Sequence, residues 1–301
     1  MRSVSPFALP GHWFKGCLHV HSTASDGDLT PDEVIDWYRS RGYHFLALTD
    51  HDVPSQARAV GNGFITLGGI EVEGVDPVAG LYHLVGLGLK RRPRLDQAAT
   101  VSMQGAANCL REAGGLVSLA HPYWSGQMSK DLLELEGCFA LEIYNGGCEV
   151  DDVKGFSTVH WDDLLASGRR LWGLAVDDAH WRNGFKDAGL GWVWVKAPSL
   201  TEEAILCALE RGDFYASTGP QIHDLWLDAD QAQIHVRCSP VVAIDFIGYG
   251  PYSKRVSAPK GQTLTEASYR LRKPQRYVRV ACLDAQGRWA WSNPITLDEM
   301  E

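Results

Sequence analysis

The stretch Lys15-Gly16-Cys17-Leu18-His19-Val20-His21-Ser22-Thr23-Ala24-Ser25-Asp26-Gly27-Asp28-Leu29-Thr30-Pro31-Asp32-Glu33 decides how this chain is read. Residues 15–21 form a short, mainly apolar run that predicts a strand, and the run ends on two histidines. Side chains two apart on a strand leave the same face, so both imidazoles can reach one cation. Asp26 follows after a polar segment able to fold back over that point. Thr30 is then a good helix N-cap, Pro31 suits the first helical position, and Glu33 completes a capping box. Val34, Ile35, Trp37 and Tyr38 supply an apolar face, and Gly42 stops the helix. A strand, a loop bearing ligand-type residues and a capped helix make one unit of an α/β fold.

Working outward, the pattern recurs through the first two thirds of the chain. Strands are expected over residues 15–21, 44–49, 64–71, 82–87, 116–120, 140–144, 171–176 and 191–195. Helices are expected between many of them, including one over about 97–113, ended by Gly114-Gly115, and one after Ser199-Leu200-Thr201-Glu202-Glu203. Such alternation implies a mostly parallel sheet, open or closed into a barrel, with ligands gathered at the carboxyl ends of strands. The texture changes near Gly219-Pro220. Runs at 223–227, 233–238, 242–249, 269–271, 277–283 and 289–292 alternate with Gly-, Pro- and Asp-rich turns. This strand-only pattern predicts a β-rich module. The expected division is 1–219 for the α/β part and 220–301 for the module, which would cover one side of the barrel or mediate oligomerisation.

The 301 residues carry a formal charge of −9, which argues against a broad nucleic-acid-binding surface. A nucleotide substrate stays open, because bound cations would make a site locally positive. Seven cysteines without CxxC spacing suit reduced, mostly buried thiols. There is neither a signal-peptide-like start nor an 18-residue apolar window, so the expectation is a soluble, cytoplasmic protein without a membrane span.

The ligand-type residues fall at the ends of apolar runs. They are His19, His21 and Asp26, then His51 in Thr49-Asp50-His51, Glu71 in Gly69-Ile70-Glu71, His83, His121 before Pro122, and finally Asp178 and His180. Each alone is weak: an isolated His-x-His or a lone His is more often packed and hydrogen-bonded than a ligand. Five strand ends each delivering His, Asp or Glu make a different case. Six histidines and three carboxylates exceed one tetrahedral site and suit two or three ions of the Mn, Fe or Zn type. Such a cluster activates water and neutralises a phosphoryl or carbonyl oxygen, so the direct reading is a hydrolase. His12, His44, His160, His223 and His235 lack this context.

The stretches CLHVHSTASDG, FLALTDHD, GGIEVEG, YHLVGLG, LAHP, LEIYN and VDDAH, in this order from Cys17 to His180, resemble the PHP family of polymerase and histidinol phosphatase domains. The segment from Gly212 to Pro220 looks like a subgroup of metal-dependent phosphoesterases that also includes a carbamate hydrolase. The resemblance implies a distorted (β/α)7 barrel of the PHP/amidohydrolase-like type with a trinuclear site. By position, His19, His21, Glu71 and Asp178 would hold the first ion. Glu71, bridging, with His83 and His121 would hold the second; Asp26, His51 and His180 would hold the third. Asp26, His51, Glu71, Asp178 and His180 would form the catalytic set, around a metal-bridging hydroxide. The Gly-x-Glu context selects Glu71 over Glu73, and Asp-x-His spacing selects Asp178 over Asp177. Asp50 would orient a ligand.

Arg182 and Lys186 are candidate phosphate contacts, with solvated loop charges as the alternative. Ser217 and Thr218 are candidates for the mouth of the site, with a cap on the next strand as the alternative. Trp124 and Trp181 are candidate base-stacking residues, with packing as the alternative. The leading expectation is a phosphoesterase acting on a nucleotide, a short single-stranded oligonucleotide (5′–3′ exonuclease-like) or another small phosphorylated compound, without stable duplex DNA binding. A carboxyl-ester or carbamate hydrolase on the same cluster is the second reading. A non-enzymatic metal-stabilised module is the third, and its signature, loss of ligands, is absent.

Overall fold

The computed structural model describes residues 6–96, 101–182, 184, 186–272 and 276–297. The opening unit forms as its sequence dictates. Strand β1 (His12–Cys17) leads through the polar loop to helix α1 (Pro31–Arg39). Thr30 accepts from the Glu33 amide at 3.4 Å, while the Glu33 carboxylate accepts from the Thr30 amide at 2.8 Å. This reciprocal pairing satisfies amides that have no partner within the helix. Val34, Ile35 and Tyr38 are buried on the inner face; full burial of an aliphatic side chain is worth about 1.5–3 kcal/mol.

The chain continues through β2 (Phe45–Ala47), β3 (Arg58–Gly61), β4 (Phe64–Leu67), β5 (Gly69–Asp76) and β6 (Gly80–Leu87). Helix α2 (Met103–Glu112) follows, capped by Ser102, whose hydroxyl accepts from the Gly105 amide at 3.1 Å. The expected start of this helix, 97–100, lies outside the described residues. Next come β7 (Leu116–Leu119), β8 (Cys138–Asn145), α3 (Gly146–Asp152), α4 (Thr158–Ala166), β9 (Trp172–Val176), β10 (Trp192–Ala197) and α5 (Glu202–Arg211). Strand β11 (Phe214–Ser217) then leads into eight strands: β12 (Ile222–Asp228), β13 (Gln233–Val241), β14 (Ala243–Gly248), β15 (Lys254–Ser257), β16 (Leu264–Arg270), β17 (Tyr277–Leu283), β18 (Trp289–Ser292) and β19 (Ile295–Thr296).

The strands build three sheets. The largest runs β15-β14-β17-β18-β11-β10-β1-β2-β4-β3, with β19 on β17; the others are β5-β6-β7-β8-β9 and β12-β13-β16. The expectation of a mostly parallel sheet needs correction. Parallel pairing is confined to β1–β2, β2–β4, β7–β8 and β8–β9, and the remaining ladders are antiparallel. Chain connectivity explains this. The run expected over 64–71 breaks at Gly68 into two strands, and a tight turn at Asp76–Gly80 joins β5 to β6. Neither connection is long enough for a parallel crossover.

The first two sheets do not merge into one closed sheet. They meet through isolated parallel bridges, Val20 to Ala179 and His51 to Glu71. Backbone hydrogen bonds from His21 N to Ala179 O (3.1 Å), Asp178 N to His19 O (2.9 Å) and Asp52 N to Glu71 O (2.8 Å) fasten the joints. Both joints sit on ligand-type residues. A Cβ on Gly69 would come within 2.7 Å of Leu48 O, so a glycine there permits the approach that seats Glu71 beside His51.

Beyond residue 219 the described residues form only strands or irregular chain, as the alternating pattern predicts. Strand β18 pairs with β11, so the ladder runs without a break from the α/β part into the tail. Ile222, Leu225, Val236, Ile244, Phe246 and Val280 share a core of their own between the tail's sheets.

Candidate metal centre

His19, His21, His51, His121, Asp178 and His180 follow the ends of β1, β2, β7 and β9, as expected, whereas Glu71 and His83 stand inside the paired strands β5 and β6 and not at strand ends. His19, His21 and Glu71 are buried, and Asp178 is only 6% exposed. His19 Nε2 and His21 Nε2 are 3.2 Å apart. His19 Nε2 lies 3.1 Å from Glu71 Oε2 and 3.2 Å from Asp178 Oδ1, and His21 Nε2 lies 3.1 and 3.0 Å from the same two oxygens. Atoms bound at about 2.0–2.1 Å to one tetrahedral ion stand roughly 3.3–3.4 Å apart. Four ligand atoms are therefore packed with the mutual spacing one cation would impose.

The imidazole orientation agrees. His19 Nδ1 lies 2.7 Å from Glu142 Oε1. An ionised carboxylate only accepts, so Nδ1 carries a hydrogen and Nε2 is the nitrogen turned toward the cluster, free to bind a cation once it gives up its proton. Glu142 Oε2 also accepts from the His121 amide (3.0 Å) and from Asn145 Nδ2 (2.9 Å).

A second arm surrounds the other oxygen of Glu71. His83 Nδ1 is 2.9 Å from Glu71 Oε1 and His121 Nε2 is 3.4 Å from it. Glu73 stays at the exposed rim, 3.4 Å from His83 Nε2, which leaves Glu71 as the central carboxylate. A third arm joins His21 with Asp26, His51 and His180. Asp26 is 3.4 Å from His180 Nε2 and 4.0 Å from His51 Nε2. Asp50 accepts from Ser22 N (2.7 Å), Ser22 Oγ (2.8 Å) and Ser25 Oγ (2.8 Å). It fixes the loop whose Ser25 touches His21 and Asp26, so it orients ligands through that serine.

Asp177 and Asp178 diverge. Asp178 adopts φ +54°, a conformation aspartate tolerates better than most residues, and turns toward the cluster. Asp177 is buried on the other side, where it accepts from the Gly189, Leu190 and Gly191 amides at 2.7 Å and from Tyr38 at 2.5 Å. Burial raises its pKa to about 6 against those hydrogen bonds.

The electrostatics demand positive charge. Burial opposes protonation of His19, yet Asp178, Glu71 and Glu142 together raise its pKa well above the usual value. Burial likewise opposes charge on His21, and its hydrogen bonds to the Asp178 and Glu71 carboxylates raise its pKa to about 9. Glu71 and Asp178 resist the burial penalty because of those imidazoles and are held far below the usual carboxylate range. Protons supply the counter-charge in the metal-free protein; a divalent cation fits the same place.

The centre opens into a cavity of about 380 Å³. Asp26, Glu71, Glu73, Asp151, Asp152 and Asp178 contribute six carboxylates to its lining, against one arginine, Arg182. Without bound cations such a cavity repels phosphate. Arg182 donates to Asp26 Oδ2 at 2.9 Å and to Asp26 O at 2.8 Å. Trp124 lines the cavity, with its ring against His83 and His121 and its Nε1 donating to Asp152 at 2.7 Å.

Several expected contacts lie elsewhere. Lys186 is exposed and does not line the cavity. Ser217 is fully buried; its hydroxyl donates to Pro220 O (2.7 Å) and accepts from Gly219 N (2.9 Å), stapling the turn toward β12. Thr218 exchanges hydrogen bonds with the Trp289 backbone. Trp181 is buried, with Nε1 on His21 O at 2.9 Å, and so supports a ligand's backbone. In the other direction, Glu142, Asn145 and Cys148 were not singled out from the sequence. Glu142 had a signal: a carboxylate in the middle of an apolar strand is a costly placement that demands partners.

Comparison with known proteins finds partial likenesses. No family model matches the chain. A 3′,5′-nucleoside bisphosphate phosphatase of Chromobacterium violaceum is 38% identical over 109 residues, 34% of this chain and 38% of that protein. A phosphoribosyl 1,2-cyclic phosphate 1,2-diphosphodiesterase of Eggerthella lenta is 42% identical over 79 residues, 24% of this chain and 30% of that protein. The chain thus spans well under half the length of these relatives. A two-domain protein from Bacteroides vulgatus, containing a predicted PHP-like metal-dependent phosphoesterase, matches over 95% of both chains with a TM-score of 0.51 at 14% identity. The likeness to that structure, at 14% identity, is one of fold. That likeness of fold spans both the α/β part and the β-rich tail. No helix among the described residues is long and apolar enough to cross a membrane.

Proposed function

We propose that this chain is a metal-dependent phosphoesterase that hydrolyses a phosphomono- or diester of a nucleotide or a comparably small phosphorylated compound. The reading includes a distorted (β/α)7 barrel over 1–219 and a β-rich module over 220–301. The observation that carries it is the contact among His19 Nε2, His21 Nε2, Glu71 Oε2 and Asp178 Oδ1 at 3.0–3.2 Å, beneath an open cavity. The phosphatase and phosphodiesterase relatives support the choice of ester.

The first ion would be held by those four residues. Glu71, His83 and His121 would hold the second, and Asp26, His51 and His180 the third. When bound, divalent ions supply an acidified water and neutralise charge on phosphoryl oxygens. The chain's own groups do the rest. Glu142 keeps the His19 lone pair inward, and Asn145, donating to Asp178 Oδ2 at 3.0 Å, holds that carboxylate's angle. Arg182 is the cationic side chain among the described lining residues and would move from Asp26 to a substrate phosphate. Trp124 offers an aromatic wall for a base or sugar.

The test is turnover of three chromogenic substrates, a phosphodiester, a phosphomonoester and a carboxyl ester, by Mn-loaded protein and by His19→Ala. Phosphoester turnover lost in the variant supports the reading and directs the search to nucleotides or sugar phosphates. Turnover of the carboxyl ester alone overturns it in favour of an ester or carbamate hydrolase.

A further inference from the structure

We propose that Cys148 is a metal donor of this centre, which would make one position a sulfur-containing site selective for Zn- or Fe-class ions over Mn. The proposal rests on the metal-centre reading above.

Cys148 is not an isolated thiol. Its sulfur, a nitrogen of His121 and a carboxylate oxygen of Asp178 all lie within 4.8 Å of one another, all three residues are buried, and all line the cavity. Donors on one tetrahedral ion with bonds of about 2.0–2.3 Å stand roughly 3.3–3.7 Å apart. The 4.8 Å limit stands about 1 Å above this range, and the His121 Nε2 to Asp178 Oδ2 distance, 3.8 Å, lies close to it. Asp178 is divided between the two positions. Its Oδ1 faces His19 and His21, whereas its Oδ2 lies 3.8 Å from His121 Nε2.

A second observation is the scaffold behind the thiol. Asn145 Oδ1 accepts from the Cys148 amide at 2.9 Å, and Asn145 Nδ2 donates to Asp178 Oδ2 at 3.0 Å and to Glu142 Oε2 at 2.9 Å. Glu142 Oε2 in turn accepts from the His121 amide at 3.0 Å. One asparagine and one glutamate therefore set the backbone of two of these donors and the carboxylate of the third. The turn from β8 into α3 is built to come close. A Cβ on Gly147 would lie 2.7 Å from Asp178 O, so glycine at that position lets the chain bring Cys148 against the Asp178 strand end.

The chemistry follows from softness. Thiolate ligands favour Zn, Co and Fe(II), whereas oxygen-rich sites suit Mn. On binding, the sulfur–metal bond forms and the thiol proton passes to solvent, with no change of oxidation state.

Cobalt(II) titration of the full-length protein, Cys148→Ser and Cys148→Ala separates the outcomes. Visible ligand-field bands report a loaded centre whatever the donors. A near-ultraviolet sulfur-to-cobalt charge-transfer band reports a thiolate ligand. The expected result is both features in the parent and ligand-field bands without charge transfer in both variants. Zn affinity should fall by about tenfold or more, the scale of losing even an outer partner of a ligand, with Mn affinity less affected. Ligand-field bands without charge transfer in the parent, or charge transfer that persists in both variants, overturn the Cys148 assignment and leave the metal centre standing. Absence of both features in the parent overturns the metal-centre reading itself. Alkylation mapped by mass spectrometry gives an independent readout. Zn should protect Cys148 while exposed Cys207 stays reactive, and unchanged Cys148 labelling counts against the proposal.

Discussion

Two halves of the candidate metal centre are built differently. The inner group, His19, His21, Glu71 and Asp178, is buried and packed at 3.0–3.2 Å. In the outer group, Asp26, His51 and His180, the side chains are 43%, 24% and 21% exposed and stand 3.4–4.0 Å apart. The inner carboxylates are almost wholly removed from solvent, so their charge calls for protons or cations close by. The outer residues keep contact with water. Burial lowers the pKa of His51 even though Glu71 opposes it. Asp26 shares its carboxylate with Arg182. On the proposed reading, the first environment would suit a tightly held ion and the second an exchangeable one.

Substitution in the inner group tests the contrast most severely. His19→Ala should lower phosphoester turnover by roughly 10²–10³-fold or more, comparable to removing a principal electrostatic stabiliser. Metal analysis of the purified variant should show the tightest ion missing. Retention of the full metal content would break the distinction. Glu142→Gln leaves the ligands in place but weakens the acceptor on His19 Nδ1. Its metal affinity should drop about 10–100-fold, with activity recovered in excess metal. Asp26→Asn should loosen only the outer ion, so that calorimetry shows one weak binding event lost and the tight one kept. Equal damage to both events would mean that the two halves are one site.

Proton competition sharpens the comparison further. The folded pKa of His21 is raised to about 9, against an ordinary value of about 6.5. Its contribution to the stability of metal-free protein is complete below about pH 6.5 and is lost as pH rises through about 9. Metal-free protein should therefore melt at lower temperature across that window. Tight-ion affinity should rise over the same range, because the ion displaces the proton. A flat melting profile would argue that protons do not occupy the inner group. The smallest effect is expected farthest away. Ser217→Ala removes hydrogen bonds in the turn beside β12 and should cost about 1 kcal/mol of stability. Its turnover should remain that of the parent.

Most of the ligand-type residues were legible because they follow an apolar run, as His19, His51, His121 and Asp178 do, whereas Glu71 and His83 stand inside their strands. The capping box at Thr30 and Glu33 was legible because its partners are three residues apart. Glu142, Asn145 and Cys148 escaped because their partners are remote in sequence: Glu142 meets His19 across 123 positions. Ser217 illustrates the converse. Its residue type and its place beside Gly219-Pro220 suited a mouth position, but its hydroxyl turned to the local backbone instead.

The sequence by itself determined the local units and the chemical character of the site. Those depend on side chains a few residues apart and on which donors a cation accepts. Tertiary structure alone decided that two sheets meet through isolated bridges at the ligand positions and that Cys148 stands beside His121. Each of these depends on close backbone approach between segments far apart in the chain. Burial of an apolar core sets that approach, and no short-range pattern records it.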